Sequence, residues 1–425
     1  MPPYGPPPDP RQVEVAAGLS AAPGAWAFSL LLGALCLGAA HLDRGRPARA
    51  GLWAIAGVVF WCTAPAVGMI PGAVWGAFPT IDKAGSLHFY QLGAHFSSWD
   101  TSAAATQLIG VSMGHLWVTA LFDVVLAPFA AMNAQGLANL VLGWWLATRL
   151  GVAVGAPERW ARVAGFPMGM GLHLFRDLNW YTIEKSGTWP LTLFVLALVR
   201  AGQGSVPWLV AAPLLYAWAF YYNAYWGVLG ALVGAVAFVA GPARVRVAAV
   251  VAGLGGLPFL ALQLPALDNA QLPAPDAFAE RAALDVFAPL GGGGFGPNWN
   301  RLELWCALDP VTTLAALVSL VGALFTLREP TSRRTLALAA GCAAVAVLAM
   351  GPATPVWSAF AALPGMWRFA KPETFFHLVV LGLVVLAARL APRSPRVPLV
   401  VLGVQLVAWA LLVRAHPVYP GWSAP

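Results

Sequence analysis

Long apolar segments recur along the whole chain, and they constrain its fold more than any other feature of the sequence. They begin at Ala25 and continue to Val413, and many approach the roughly 20 apolar residues that a bilayer-spanning helix needs. Hydrophobic residues make up 59% of the chain and charged residues only 10%, whereas soluble domains carry about 25% charged residues. The sequence therefore predicts an all-α fold: a polytopic transmembrane helical bundle.

Arginine-rich segments between the apolar runs predict which side of the membrane each loop faces. Fifteen of the 24 basic residues, but only three of the 17 acids, fall in short loops such as Arg44–Arg49, Arg149–Arg162 and Arg328–Arg334. Basic loops stay on the cytoplasmic side, so the net charge of +7 does not indicate a nucleic-acid partner. The opposite loops, at about 73–130, 173–187, 266–306 and 351–374, are then predicted to face outward.

The same pattern predicts one transmembrane domain over 24–415, between a Pro-rich, extended N-terminus (1–23) and a C-terminal tail (416–425). Within the first outer loop, the segment 108–130 is apolar but carries Asp123, and we predict that it lies along or re-enters the outer face. About 12 spanning helices are expected at 24–41, 51–72, 132–150, 163–177, 187–201, 205–221, 223–240, 247–265, 307–327, 335–351, 374–391 and 397–414.

Ionisable residues cluster in three of the predicted outer loops, and each cluster has two interpretations. The first loop contains Asp82 and His88, and it is either a solvated loop with aromatic anchors or a catalytic loop with Asp82 as general base. The charges of the second loop, at Arg176–Asp177 and Glu184–Lys185, either pair with each other or bind substrate. In the last loop Arg368 and Lys371 either extend to the membrane interface or hold a phosphate.

The lysines favour the functional interpretations. The chain has only three, Lys83, Lys185 and Lys371, and each lies in a predicted outer loop within two residues of an acid. A general preference for arginine over lysine would act along the whole chain, and it does not explain why lysine remains at these three positions. The hypothesis is that the three loops converge on one pocket, where cations hold an anionic substrate and a carboxylate transfers a proton.

Other motifs carry less information. The glycine run Gly291–Gly294 lacks the Lys-Ser/Thr ending of a P-loop, so a flexible loop is favoured over a phosphate cradle. No cysteine or histidine spacing predicts a metal site.

The layout of the loops resembles that of bacterial GT-C-type integral membrane glycosyltransferases, which use polyprenyl-phosphate-linked sugars. The similarity consists of an early Asp82 in the first outer loop, a partly horizontal segment near 108–128, and Trp189-Pro190-Leu191 after the second outer loop. It continues in Gly351-Pro-Ala-Thr-Pro355, followed by Trp367-Arg368-Phe-Ala-Lys371-Pro372. The chain differs from the family in its extra first helix, its missing second arginine after Pro372, and the expected lack of a C-terminal soluble domain.

The resemblance implies an inverting sugar transfer from a lipid-phosphate donor at the outer face of the bacterial cytoplasmic membrane. Asp82 would deprotonate the acceptor or orient a divalent cation, which is the one cofactor that the resemblance suggests. Cations would neutralise the departing phosphate, and the expected partners are membrane lipids and the lipid-linked sugar donor, not nucleic acid. The candidate residues are Asp82, Asp100 and Glu184 for catalysis, and Lys83, His88, Arg176, Lys185, Arg368 and Lys371 for substrate binding. A multi-helix transporter and an inactive accessory subunit of the same fold are the alternatives.

Overall fold

The computed structural model is all-helical in the residues that it describes, and the all-α prediction is confirmed for that part of the chain. Described are residues 23–63, 114–126, 128–171, 174, 183–269, 309–351, 354–363, 366, 372–390, 392, 394 and 396–415. The helices are α1 (Pro23–Leu42), α2 (Pro47–Thr63), α3 (Gly114–Asp123), α4 (Pro128–Ala153), α5 (Glu158–Gly165), α6 (Pro167–Met170), α7 (Ile183–Ser186), α8 (Trp189–Gly202), α9 (Val206–Tyr222), α10 (Ala224–Ala240), α11 (Ala243–Asn269), α12 (Pro310–Phe325), α13 (Pro330–Ala349), α14 (Pro355–Ala361), α15 (Phe376–Ala388) and α16 (Val397–Ala415).

Local sequence explains most helix starts. Proline occupies one of the first positions of α8, α9, α12, α13 and α14, where its missing N–H costs nothing and its fixed φ suits a helix. Asp309 caps α12 by accepting a hydrogen bond from the Thr312 backbone N–H at 2.7 Å. Asn223 similarly caps α10 by accepting from the Tyr225 N–H at 2.9 Å. These signals explain why the predicted bounds agree with α8, α9, α10 and α12 to within a few residues.

The prediction of one continuous helix over 163–177 is wrong for the part of that span that the structure describes. In its place α5 ends at Gly165 and α6 begins at Pro167, which lacks the backbone N–H that a continuous helix would use. Gly171 then leaves the helical conformation, with φ −63° and ψ 134°. The Arg159–Arg162 stretch, predicted as a loop, is helical within α5.

A close-packed seam joins α4 to α5 and α6. Small residues recur at every fourth position on both sides: Gly143, Ala147 and Gly151 on α4, and Ala161, Gly165 and Gly169 on α5 and α6. A Cβ atom added to Gly143 would lie 2.2 Å from the Met168 carbonyl oxygen, and one added to Gly169 would lie 2.5 Å from that of Leu140. Such repeats let helix backbones approach closely. The seam therefore holds the broken helix against α4.

Helix α4 lies at the centre of the described bundle, in contact with α2, α5, α8 and α15. On one side α8, α9, α10 and α11 pack together, and on the other α12 and α13 pack on α15. The largest core cluster joins the two sides and includes Trp226, Phe375 and Val384. A short 3₁₀ turn, Pro372–Phe375, leads directly into α15.

Two observations bear on the membrane prediction. Among the described residues one helix, α13, is long and apolar enough to cross a membrane by length and composition; several other apolar helices are shorter, at 10–17 residues. Outward-facing stripes on α12 and α16 are apolar. Their exposed members are Leu314, Leu317, Val318, Val321 and Leu324 on α12, and Leu399, Val400, Val404, Val407 and Leu411 on α16.

Candidate functional site

The structure describes few of the predicted site residues. Lys185 lies at the end of α7 with its side chain described, whereas for Glu184 only the backbone is described, also in α7. Outside the described residues lie Asp82, Lys83, His88, Asp100, Arg176, Arg368 and Lys371. The predicted pairing of Glu184 with Lys185 and the glycine run Gly291–Gly294 also lie outside them. Lys185 is therefore the starting point for the site.

Lys185 is a buried cation, with only 5% of its surface exposed. Its Nζ atom lies 5.3 Å from the centre of the Tyr225 ring. An ammonium group loses much hydration energy when it is buried, and a desolvated cation–π contact returns about 2 kcal/mol of that loss. Tyr225 is held in place because Asn223, at the α9–α10 turn, accepts a hydrogen bond from its backbone N–H.

Asn139 of α4 positions the residues around Lys185. Its Oδ1 atom accepts hydrogen bonds from the Tyr222 hydroxyl at 2.8 Å and from the Trp189 indole N–H at 3.1 Å. Its Nδ2 atom donates to the Ser186 hydroxyl at 3.1 Å. Asn139, Ser186 and Tyr222 are all fully buried. One amide thus ties α4 to α7, α8 and α9, with Lys185 adjacent to the bonded Ser186.

A second layer of polar contacts fixes Tyr222 from the side of α3. Gln135 donates from Nε2 to the His115 carbonyl at 2.8 Å and to the Tyr222 hydroxyl oxygen at 3.4 Å. The Thr119 hydroxyl donates to Gln135 Oε1. The His115 and Tyr222 rings meet edge to face with centroids 6.3 Å apart. This layer is also fully inside the bundle, because Gln135 has no exposed surface.

The C-terminal part of the chain reaches the same ring as Lys185. Phe375 packs edge to face on Tyr225 with centroids 6.5 Å apart, and Phe375 comes only four positions after Lys371. The chain that leaves the second predicted outer loop and the chain that leaves the last one therefore both contact Tyr225. This juxtaposition brings together the ends of two of the three lysine-bearing loops.

Three buried polar atoms near this junction have no hydrogen-bond partner in the described structure: Thr188 Oγ1, Thr374 Oγ1 and Trp226 Nε1. Trp226 packs edge to face on His377, with ring centroids 5.1 Å apart. The His377 ring nitrogen Nδ1 lies 3.1 Å from the Thr374 carbonyl oxygen. Buried polar atoms are normally paired, so the region offers donors and acceptors to a polar ligand or to water.

Aromatic side chains line one flank of the cluster. The Trp117 indole donates to the Tyr221 hydroxyl at 2.8 Å. Trp218 lies between Tyr221 and Trp189, with ring centroids 6.1 Å and 6.3 Å away. Trp and Tyr combine an apolar body with a polar edge, which suits the boundary between water and lipid.

Sequence reasoning missed the residues that organise this site. Asn139 and Gln135 lie in an apolar stretch of α4, and polar residues there are a signal for a buried contact. Tyr222 and Tyr225 lie at the turn between α9 and α10, and neither is among the predicted site residues. Within the described residues no group of three or more His, Cys, Asp or Glu could hold a metal ion.

The comparisons leave the family of the chain open. No protein-family model matches the sequence. No curated protein matches it significantly. The site must therefore be interpreted from its own chemistry.

Proposed function

We propose that this chain is a multi-pass protein of the bacterial cytoplasmic membrane. The support is its inverted distribution of side chains: apolar stripes cover the outside of α12 and α16, while Gln135, Asn139 and Gln405 are fully buried. A large exposed apolar surface is rare on soluble monomers, but lipid solvates it. In α13 only 22% of the residues in the most apolar 18-residue stretch are buried, whereas the core helix of a soluble protein is mostly buried.

The short helix α3, which lies in the predicted first outer loop, is compatible with this proposal. Helix α3 has 10 residues, so it is about 15 Å long and too short to cross a hydrocarbon core of about 30 Å. That length agrees with a segment that lies along or dips into one face. The polar cluster around Asn139 would then lie beneath the predicted outer loops.

The proposed activity is transfer of a sugar from a lipid-phosphate donor to an acceptor at the outer face. The observation that carries it is Lys185, a buried ammonium group at the point where two predicted outer loops enter the bundle. In this reaction the lipid phosphate leaves with its charge, and fixed positive groups in a water-poor site stabilise that charge strongly. Lys supplies a compact point charge for phosphate.

The remaining roles follow from the resemblance. Asp82 would deprotonate the acceptor hydroxyl or orient a divalent cation, with Asp100 and Glu184 as the other candidate carboxylates. Arg368 and Lys371 would join Lys185 at the phosphate, and Lys83, His88 and Arg176 would contact the substrate. The aromatic flank at Trp117 and Trp218 would border the lipid interface.

The test is an assay of membranes that contain the full chain, supplied with radiolabelled polyprenyl-phosphate sugars. Wild type is compared with Asp82→Asn and Lys185→Met, and Arg46→Met is the matched loss of an exposed cation far along the sequence from the site. We expect transfer in wild type and Arg46→Met, and about 100-fold slower transfer in Lys185→Met. Transfer that Lys185→Met leaves intact would remove Lys185 from the mechanism.

The same assay, together with a measurement of whether the protein binds the labelled lipid, distinguishes the alternatives. Absence of transfer from every donor, in protein that still binds the labelled lipid, would indicate an inactive accessory subunit. Absence of both transfer and lipid binding would favour a transporter, which uptake in vesicles that contain the purified chain would then examine.

A further inference from the structure

A second buried polar cluster lies where α5, α12 and α16 meet. Gln405, near the middle of α16, is fully buried. Its Nε2 atom lies 2.7 Å from Asp309 Oδ2, 3.1 Å from the Val163 carbonyl oxygen and 3.3 Å from Thr312 Oγ1. One amide nitrogen therefore faces three oxygen atoms with only two hydrogens to donate.

This cluster is separate from the Lys185 site. Val163 is two residues before Gly165, which packs against Ala147 of α4. Ala147 is eight positions from Asn139, or about 12 Å along the helix axis. The Asp309–Gln405 contact therefore lies at a different level of the bundle from the proposed phosphate site.

Asp309 has no ion-pair partner in the part of the chain that the structure describes. Its carboxylate accepts hydrogen bonds from the Thr312 N–H at 2.7 Å, from the Gln405 amide and from the Thr312 side chain, and all three donors are uncharged. The charged or titratable groups on the neighbouring elements do not pair with Asp309. Arg149 and Arg162 pair with Glu158, and Arg389 donates hydrogen bonds to Thr331 and Thr335. His377 packs against the Trp226 ring. The other arginines described on these elements make no salt bridge with Asp309: Arg159, Arg328, Arg333, Arg334 and Arg396.

The oxygen of the Gln405 amide is an independent observation, because this buried Oε1 atom has no hydrogen-bond partner in the described structure. A half-turn of the amide would exchange Oε1 and Nε2 and bring two oxygens to about the present 2.7 Å separation. That separation is repulsive for a carboxylate and a carbonyl, but it is the normal length of an O–H···O hydrogen bond.

The donor set favours a proton over a metal ion. A hard cation such as Ca²⁺ takes six to eight oxygen ligands, and among the described residues no group of three or more His, Cys, Asp or Glu could hold a metal ion. A proton fits without movement of the backbone. An isolated carboxylate inside a low-dielectric bundle is also costly to keep charged.

We propose that Asp309 and Gln405 form a proton-binding site. A hydronium ion of the surrounding water gives one proton to the Asp309 carboxylate and leaves a water molecule, and the new O–H donates to the rotated Gln405 carbonyl. In the deprotonated state Gln405 donates to Val163 and ties α16 to α5. In the protonated state that tie is lost, although the Val163 carbonyl still accepts from the Phe166 N–H at 3.3 Å. Protonation thus loosens α16 from α5.

The test is infrared difference spectroscopy of the purified full chain in lipid nanodiscs, between about pH 5 and about pH 8. We expect the C=O band of a protonated carboxylic acid in wild type and its loss in Asp309→Asn. Glu158→Gln, which removes an ion-paired carboxylate of α5, is the matched control and should keep the band. Persistence of the full band in Asp309→Asn would overturn the proposal.

A second variant covers the case in which Asp309→Asn does not fold. Gln405→Leu keeps the carboxyl but removes the acceptor of its proton, so the band should remain and move to higher frequency. An unmoved band would contradict the proposed pairing. Replacing sodium with potassium should leave the wild-type spectrum unchanged, and a sodium-dependent change would show that the site binds a metal cation instead.

Discussion

The seam between α4 and the α5–α6 segment predicts that a side chain larger than glycine is destabilising at Gly143, because the two backbones are nearly in contact there. Gly143→Ala places a Cβ atom 2.2 Å from the Met168 carbonyl oxygen and 3.3 Å from Thr188 Oγ1. The first distance is far shorter than any normal Cβ contact, and the atom it meets belongs to the backbone, so it cannot rotate away. Helix α4 and the α5–α6 segment must therefore separate in the variant.

The expected cost is the balance of one stabilising and two destabilising effects. Alanine in a helix interior is favoured over glycine by about 0.5–1 kcal/mol. Overpacking at the seam costs about 1–3 kcal/mol. Separation also strains the bond from the Trp144 indole to the Arg162 carbonyl, now 2.7 Å, and this bond contributes about 1 kcal/mol. We expect Gly143→Ala to lower the free energy of unfolding by about 1–3 kcal/mol.

Gly341→Ala is the matched control. Gly341 lies inside α13, and a Cβ added there meets nothing within 4 Å, so that variant should be unchanged or stabilised by up to about 1 kcal/mol. The assay is equilibrium unfolding of both variants in mixed detergent micelles, followed by tryptophan fluorescence. Equal free energies of unfolding for the two variants would refute the close approach of the seam.

The Lys185 site supports further predictions. Tyr222→Phe removes one donor to Asn139 and should lower the free energy of unfolding by about 0.5–1.5 kcal/mol. Asn139→Leu leaves the Tyr222 and Trp189 donors without their acceptor and should lower it by roughly 2–6 kcal/mol. A larger effect of Tyr222→Phe than of Asn139→Leu in the same unfolding assay would contradict the central role of Asn139. Gly187→Ala places a Cβ atom 2.4 Å from the Tyr222 hydroxyl and should cost about 1–3 kcal/mol, an effect that Tyr222→Phe should partly relieve in the double variant. Lys185→Arg should retain more sugar transfer than Lys185→Met, because it keeps the positive charge, and equal rates in the membrane assay would argue against a charge requirement.

Local sequence determined much about the helices of this protein. The lengths of apolar runs placed α8, α9, α10 and α12 to within a few residues, because a helix is stabilised by neighbours three and four positions away. The predicted start at 335 missed the first turn of α13, which begins at Pro330. The same reasoning failed at 163–177, where the apolar pattern continues through Pro167 and conceals the break. It did single out Lys185 from the rarity of lysine, since composition alone reveals that signal.

Only the tertiary structure decided which residues meet. Asn139 and Tyr222 are 83 positions apart, Asp309 and Gln405 are 96 apart, and the Trp160 indole bonds a carbonyl 227 positions away. Periodicity shows which face of a helix is apolar, but several neighbours could cover that face equally well. The choice among them depends on close backbone approach at glycines and on the pairing of each buried polar atom, and both depend on the whole bundle at once.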